Sequence, residues 1–126
     1  MTTMVCFTAA GAAYCMPVEA TRAVRRTTGM ITLPAARPGV AGLIPGDPPL
    51  TVLAPLGIGG SHILVVEIAA RSFGLQVDAV TGLRRVDEAD IRPAPQGQDR
   101  TLISGMIDTG GDLVMITDPS ALAERL

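Results

Sequence analysis

The stretch HILVVEIAARSFGLQVDAVTGLRRVDEADIRPAP, residues 62–95, decides the fold of this chain. Its almost uniformly apolar start, His62–Ile68, predicts a central β-strand that is covered on both faces. A turn at residues 70–72 then predicts a return strand over residues 73–78, and Ala79–Val86 continues as a further strand or a bend. The stretch ends in a polar corner and a Pro-rich exit. It therefore predicts consecutive strands that are joined by tight turns.

The rest of the chain repeats this pattern of short apolar runs between Gly and Pro turns. After Pro17 we expect a short turn and then a strand to Arg26, with one or two helical turns as the alternative. Asp118 followed by Pro119 predicts the N-cap and first position of a short C-terminal helix. About ten short strands with little helix predict a small barrel or sandwich. The further strands are expected at residues 4–8, 14–18, 31–33, 40–44, 50–53, 102–107 and 113–117.

Composition excludes several classes of function. A length of 126 residues suits one domain, and 48% apolar with 17% charged residues is a globular balance. The net charge is −2 without a basic block and aromatics make up only 2%, which argues against a nucleic-acid partner. All ten cations are Arg. The absence of Lys excludes a Walker A loop and Schiff-base chemistry.

Cysteine usage and hydropathy predict a cytoplasmic protein. There is no secretory signal, and no run approaches the roughly 18 apolar residues of a membrane span. Cys6 and Cys15 have apolar neighbours and are expected to be reduced and buried, with a disulfide across a strand hairpin as the alternative. Two Cys and one His do not have zinc-site spacing. We therefore expect no metal and no cofactor.

Three other residues carry possible chemistry. The sequence MIDTG at residues 106–110 matches the D-T-G motif of retroviral-type aspartic proteases, with Asp108 as the catalytic acid. Only 16 residues follow this motif, too few for the strand pairs that the protease fold requires. A dyad of His62 and Cys15 would need a third, orienting group, so His62 is expected to be structural. Asp78 is expected to accept backbone hydrogen bonds at a bend.

Six segments follow one another in a recognisable order and spacing: VCFT at 5–8, LPAARPGVAGLI at 33–44, FGLQVDAV at 73–80, IRPAP at 91–95, ISGM at 103–106 and LVMITD at 113–118. Together they resemble the CheW family of chemotaxis adaptors, from about residue 4 to residue 122. The resemblance implies a single domain over residues 1–126 that is all-β, with two five-stranded SH3-like barrel lobes over a shared core and a short C-terminal helix.

The family resemblance implies a non-catalytic adaptor that couples the cytoplasmic tip of a chemoreceptor to the regulatory domain of a CheA-type histidine kinase. A receptor tip would dock in a groove between the lobes. Val18 and Thr21 would then lie on the first-lobe wall, and Val80 and Leu83 on the second-lobe wall. The alternative is that Val80 and Leu83 are plain core positions.

Departures from the family pattern leave other functions open. The hairpin PGDPP at residues 45–49 lacks the family's N-L-R-G arginine, which supports receptor coupling there, and Ala23 stands where Glu is frequent. A divergent CheW-like module that serves a non-chemotaxis kinase pathway is therefore one alternative, and an aspartic protease using Asp108 is the other. Arg84 and Arg85 are expected on a polar rim of the groove or on a solvated face.

Overall fold

The computed structural model describes residues 1–33, 39–57, 59–99 and 101–126. Residues 34–38, which belong to the matching segment at 33–44, lie outside the described residues. The described residues form twelve strands, two single turns of 3₁₀ helix and one short α-helix. The strands are β1 Thr2–Ala9, β2 Ala12–Pro17, β3 Thr21–Arg26, β4 Ile31–Thr32, β5 Val40–Ile44, β6 Leu50–Leu53, β7 His62–Ile68, β8 Arg71–Val77, β9 Ala79–Val86, β10 Ile91–Arg92, β11 Ile103–Asp108 and β12 Leu113–Thr117; the 3₁₀ turns are Val18–Ala20 and Glu88–Asp90, and the helix α1 is Pro119–Ala123.

The strands form two six-stranded sheets, which we call the first and second lobes. The first lobe has the order β3-β7-β8-β6-β5-β4 and the second β10-β11-β12-β2-β1-β9. In each lobe the two edge strands are neighbours in sequence, so a short link joins the two ends of the sheet and curls it into a small barrel. The predicted all-β fold with two barrel lobes is confirmed. Each lobe has five longer strands, as expected, and a two-residue edge strand, β4 or β10.

The two halves of the chain repeat one arrangement and exchange their first hairpins. Strands β1–β6 and β7–β12 follow the same order, but β1 and β2 belong to the second lobe and β7 and β8 to the first. The exchanged hairpins make the only parallel contacts in the described sheets, β2 with β12 and β8 with β6. The two halves meet between β6 and β7, which are both strands of the first lobe. Strands that follow each other in sequence, such as β2 and β3, can therefore belong to different lobes.

Apolar side chains form three clusters that follow from the period-2 alternation of strands. The largest lies between the lobes, and smaller clusters fill the interior of each barrel. Strand β7 shows the alternation, because Ile63 belongs to the first-lobe interior and Leu64 to the shared core. Both are essentially inaccessible to solvent. This confirms the prediction that the uniformly apolar His62–Ile68 strand is covered on both faces.

Local signals in the sequence set the ends of the helical segments. The Asp118 carboxylate accepts a hydrogen bond from the backbone N–H of Ser120 at 3.0 Å, and Pro119 occupies the first turn of α1. This satisfies a donor that the helix leaves unpaired, as predicted. Leu122 of α1 is fully buried in the shared core, so the helix closes one side of that core. The turn predicted after Pro17 is the 3₁₀ turn Val18–Ala20, and β3 follows it.

Candidate protein-docking groove

An apolar groove lies where β3, an edge strand of the first lobe, faces β9, an edge strand of the second. Its volume is about 310 Å³. Buried Val5 and Leu64 form its floor. An edge strand has backbone groups without a partner strand, so both walls end in surfaces that can receive another chain. The walls are formed by Val18, Thr21, Arg22, Ala23 and Val24 on one side and by Val80, Gly82 and Leu83 on the other.

The structure brings all four predicted groove residues together. Val18 and Thr21 come from the 3₁₀ turn and the start of β3, whereas Val80 and Leu83 come from β9. Leu83 is 69% exposed, so it is not a core residue. Val80 is half-buried and packs against the shared core while it also lines the groove. That a partner binds these residues stays a prediction.

A β-bulge explains why Val80 and Leu83 face the same side. Their spacing of three would place them on opposite faces of a regular strand. The register between β1 and β9 shifts, so that Phe7 lies opposite Val80 and Cys6 opposite Gly82, which leaves Thr81 without a partner. A bulge of this kind inserts one residue and re-aims the side chains that follow. Val80 and Leu83 thus both join the groove side of β9.

Hydrogen bonds brace the first-lobe wall. The Thr21 hydroxyl donates to the carbonyl of Val18 at 2.8 Å, so it is already engaged within the turn. The Arg22 guanidinium donates to the Glu19 carbonyl at 2.9 Å and pairs with the Glu67 carboxylate at 3.3 Å. Both side chains of this ion pair are substantially exposed, so its contribution to stability is about 0–1 kcal/mol. Arg22 therefore lines the groove with its guanidinium already tied to Glu19 and Glu67.

Sequence reasoning missed Val24, a major apolar surface of the groove, which is 49% exposed. The signal in the sequence was the run Val24-Arg25-Arg26, in which a β-branched residue stands beside two arginines within a predicted strand and so near solvent. The expectation that Arg84 and Arg85 share a rim or solvated face was wrong for Arg84. Successive residues of β9 point to opposite faces, and Arg84 lies opposite Met4, on the side of the second-lobe interior. Arg85 is exposed.

Asp108 is engaged in a hairpin turn. It ends β11, is exposed, and its Oδ1 accepts hydrogen bonds from the backbone N–H groups of Gly110 at 3.2 Å and Gly111 at 3.3 Å. A carboxylate that closes its own turn in this way has a structural role that needs no catalysis. The D-T-G motif is thus the tip of the β11–β12 hairpin.

His62 and Cys15 lie in different parts of the fold. His62 begins β7 of the first lobe, and its Nδ1 lies 3.0 Å from the carbonyl oxygen of Asp78. Cys15 is fully buried in the second-lobe interior. Asp78 accepts a hydrogen bond from the backbone N–H of Gly11 at 3.3 Å, as predicted for a bend carboxylate. These residues therefore connect strands and loops and do not form a dyad.

Cys6 and Cys15 lie directly opposite each other in the β1–β2 hairpin, and both are free thiols. Burial raises the pKa of Cys15 to about 12, so this thiol is protonated at neutral pH. Burial also raises the pKa of Cys6, and Arg84 partly counters this effect. Among the described residues, no group of His, Cys, Asp and Glu side chains has the arrangement of a metal site. Within the same residues, no helix is long and apolar enough to cross a membrane.

Two small barrels with an exposed apolar groove between their edge strands are an arrangement suited to a scaffold or adaptor. The family model described as the CheW-like domain matches residues 53–126, which is more than half of the chain. The chain therefore belongs to the CheW-like domain family, a family of non-catalytic scaffolds and adaptors in chemotaxis-type signalling. Val80 and Leu83 lie within the matched residues, whereas Val18 and Thr21 precede them.

A solved structure supports the same fold over most of the chain. The crystal structure of the scaffolding protein TtCheW from Thermoanaerobacter tengcongensis matches with a TM-score of 0.79 and 24% sequence identity. The match covers 93% of this chain and 88% of that chain. At this identity the likeness concerns the fold alone. Comparison with curated protein sequences gives no significant match.

Proposed function

We propose that this chain is a cytoplasmic adaptor that couples the tip of a chemoreceptor to the regulatory domain of a CheA-type histidine kinase. It acts by surface complementarity and catalyses no reaction. The observation that carries the proposal is the apolar groove between β3 and β9, which holds Val18, Thr21, Val80 and Leu83 together in a member of the CheW-like family.

The groove suits a helical partner. A helix binds such a surface by laying apolar side chains, spaced three and four residues apart, between two walls. Leu83 and Val24 stand on opposite walls and are 69% and 49% exposed, so each has apolar surface left to bury. Val5 and Leu64 close the floor with further apolar surface. The receptor tip would cover these residues and leave the Arg22–Glu67 ion pair at the margin.

The charges of the two lobes differ in sign, which supports a scaffolding role at their outer surfaces. Residues 21–77 contain five arginines and two acids, and the remaining segments contain five arginines and ten acids. Electrostatic complementarity accelerates and orients association more than it increases affinity. A kinase regulatory domain of similar fold would approach one lobe with a surface of the opposite charge. Binding to the kinase should therefore weaken as salt increases.

The test measures the two partners separately, by calorimetry, with a cognate kinase regulatory domain and a cognate receptor-tip fragment. Leu83→Asp is expected to abolish binding of the receptor fragment and to leave kinase binding intact. Leu113→Asp is the matched control, because Leu113 is also exposed, at 48%, and lies outside the groove. The proposal is wrong if neither partner binds to the unaltered protein at tens of micromolar, which is about −6 to −7 kcal/mol. It is also wrong if both variants lose the receptor fragment equally.

A second candidate is a divergent CheW-like module that serves a kinase outside chemotaxis. The β5–β6 hairpin favours it, since this hairpin lacks the arginine of the family pattern and presents exposed Asp47 nearby, among prolines. A receptor would then meet a carboxylate and no arginine on this hairpin. Binding of the kinase domain without binding of any receptor fragment would support this candidate over the first.

A further inference from the structure

A second cavity, unrelated to the groove, opens at the mouth of the second-lobe barrel. Its volume is about 590 Å³, and its wall includes Arg84, Thr81, Thr109 and Cys6. Small-molecule pockets span about 300–1,000 Å³ and occur preferentially in places such as the mouths of β-barrels. The size and position of this cavity are therefore those of a ligand site.

Arg84 is the unusual residue in this cavity. Its Nη1 atom is buried from solvent and has no hydrogen-bond partner among the described residues. The cause is the strand register, since Arg84 lies opposite Met4 and so points toward the barrel interior. A buried cationic donor without a partner is unfavourable, and buried charges are normally paired. The guanidinium thus offers a donor that the protein itself does not satisfy.

The lining of the cavity defines the chemistry that would satisfy Arg84. A guanidinium presents a planar fork of donors that matches a carboxylate. Thr81 and Thr109 line the same space, the Thr109 hydroxyl being already donated to the Asp112 carbonyl at 3.2 Å, and apolar side chains such as Val114 form much of the remaining wall. Asp112 also lines the cavity and would repel a doubly charged group. We propose that the mouth of the second-lobe barrel binds a small organic monocarboxylate, with Arg84 as its charge partner and the apolar wall against its body.

The proposal does not depend on the docking function, and it can be tested on the isolated chain. Sodium benzoate is the probe, and benzamide is its neutral counterpart of the same shape. In ¹H–¹⁵N NMR titrations, benzoate should shift the amide signals of β1, β9 and residues 109–113 saturably. Benzamide should bind at least about tenfold more weakly, because it lacks the charge-assisted hydrogen bond.

Two variants of neighbouring residues give the decisive comparison. Arg84→Met should weaken benzoate binding at least about tenfold, because it removes the buried donor while it keeps much of the side-chain volume. Arg85→Met makes the same change of charge at the adjacent, exposed position and should leave binding unchanged. Equal weakening by both variants would show a general charge effect and would overturn the proposal.

A readout on the unaltered protein makes the test independent of whether Arg84→Met folds. Cys6 lines the cavity and is only half-buried, whereas Cys15 is fully buried. Benzoate should slow the alkylation of Cys6 by iodoacetamide, and benzamide should not. The proposal fails if benzoate gives no saturable shifts in the millimolar range and no protection of Cys6, which would mean that water alone solvates Arg84. It also fails if the two probes bind equally.

Discussion

Replacing Leu83 with Ala removes the most exposed apolar side chain of the groove and tests whether a partner covers it. Complete burial of a leucine side chain stabilises by about 1.5–3 kcal/mol. Leu83 is 69% exposed in the free chain, so about two-thirds of that free energy is still available to a partner. We therefore expect Leu83→Ala to weaken binding of the receptor fragment by about 1–2 kcal/mol, which is about 5- to 30-fold in Kd.

The same exposure predicts that Leu83→Ala hardly changes the stability of the free chain. Surface substitutions generally alter the free energy of unfolding by less than about 0.5 kcal/mol. The assay combines calorimetric binding of the receptor fragment with urea unfolding of each variant. Leu113→Ala is the control, because Leu113 is 48% exposed and lies outside the groove. A Kd for Leu83→Ala within twofold of the original, or an equal loss in Leu113→Ala, would refute the assignment of the groove.

The remaining predictions concern stability and are measured by urea unfolding. Arg84→Met should leave the free energy of unfolding unchanged or raise it by up to about 1–3 kcal/mol, because it removes an unpaired buried donor. A decrease in the free energy of unfolding above about 1 kcal/mol, with Arg85→Met neutral, would contradict this. Gly60→Ala should destabilise the fold by about 1–3 kcal/mol, since the added Cβ would overlap the last carbonyl of β8. A Cβ added at Gly46 has its nearest contact at 3.4 Å, so Gly46→Ala should destabilise less, and equal effects of the two variants would contradict this. Burial raises the pKa of Cys15 from 9.0 to about 12, so with increasing pH this thiol ionises in the unfolded chain before it ionises in the folded one. The free energy of unfolding should therefore fall as the pH rises from about 9 toward 12. An equally steep fall in Cys15→Ala would exclude this cause.

Features that depend on a few neighbouring residues were predictable from the sequence. The apolar run of β7 predicted a strand covered on both faces, and Asp118 with Pro119 predicted the start of α1. Each of these signals acts within one turn or along one strand, so no knowledge of the tertiary structure is needed to interpret it. The spacing of the motifs over the whole chain predicted the barrel lobes, because a family pattern already contains the topology.

Features that depend on which strands pair were not predictable from composition or periodicity. A bulge at Thr81 reverses the facing of every later residue in β9, and no local signal marks it except Gly82. This bulge decides that Leu83 faces the groove and that Arg84 faces the barrel interior. The four groove residues were predicted through family resemblance, because matching positions in a family share the same strand pairing and bulges. The position of Arg84, for which the resemblance gave no specific pattern, was predicted wrongly.

The exchange of hairpins explains why the groove exists and why Val24 belongs to it. Strands β3 and β9 are the third strands of the two chain halves, so the two walls are equivalent, as are the floor strands β1 and β7. Leu83 lies directly opposite Val5, and Val24 lies directly opposite Leu64. Val24 is therefore the counterpart of Leu83 on the other wall, and each stands beside a buried floor residue. Because each lobe takes its first hairpin from the other half, an edge strand from each half is left beside the shared core. Leu83 and Val24 therefore each have a cross-strand neighbour on one side and exposed apolar surface on the other, and the groove contains one such residue from each half.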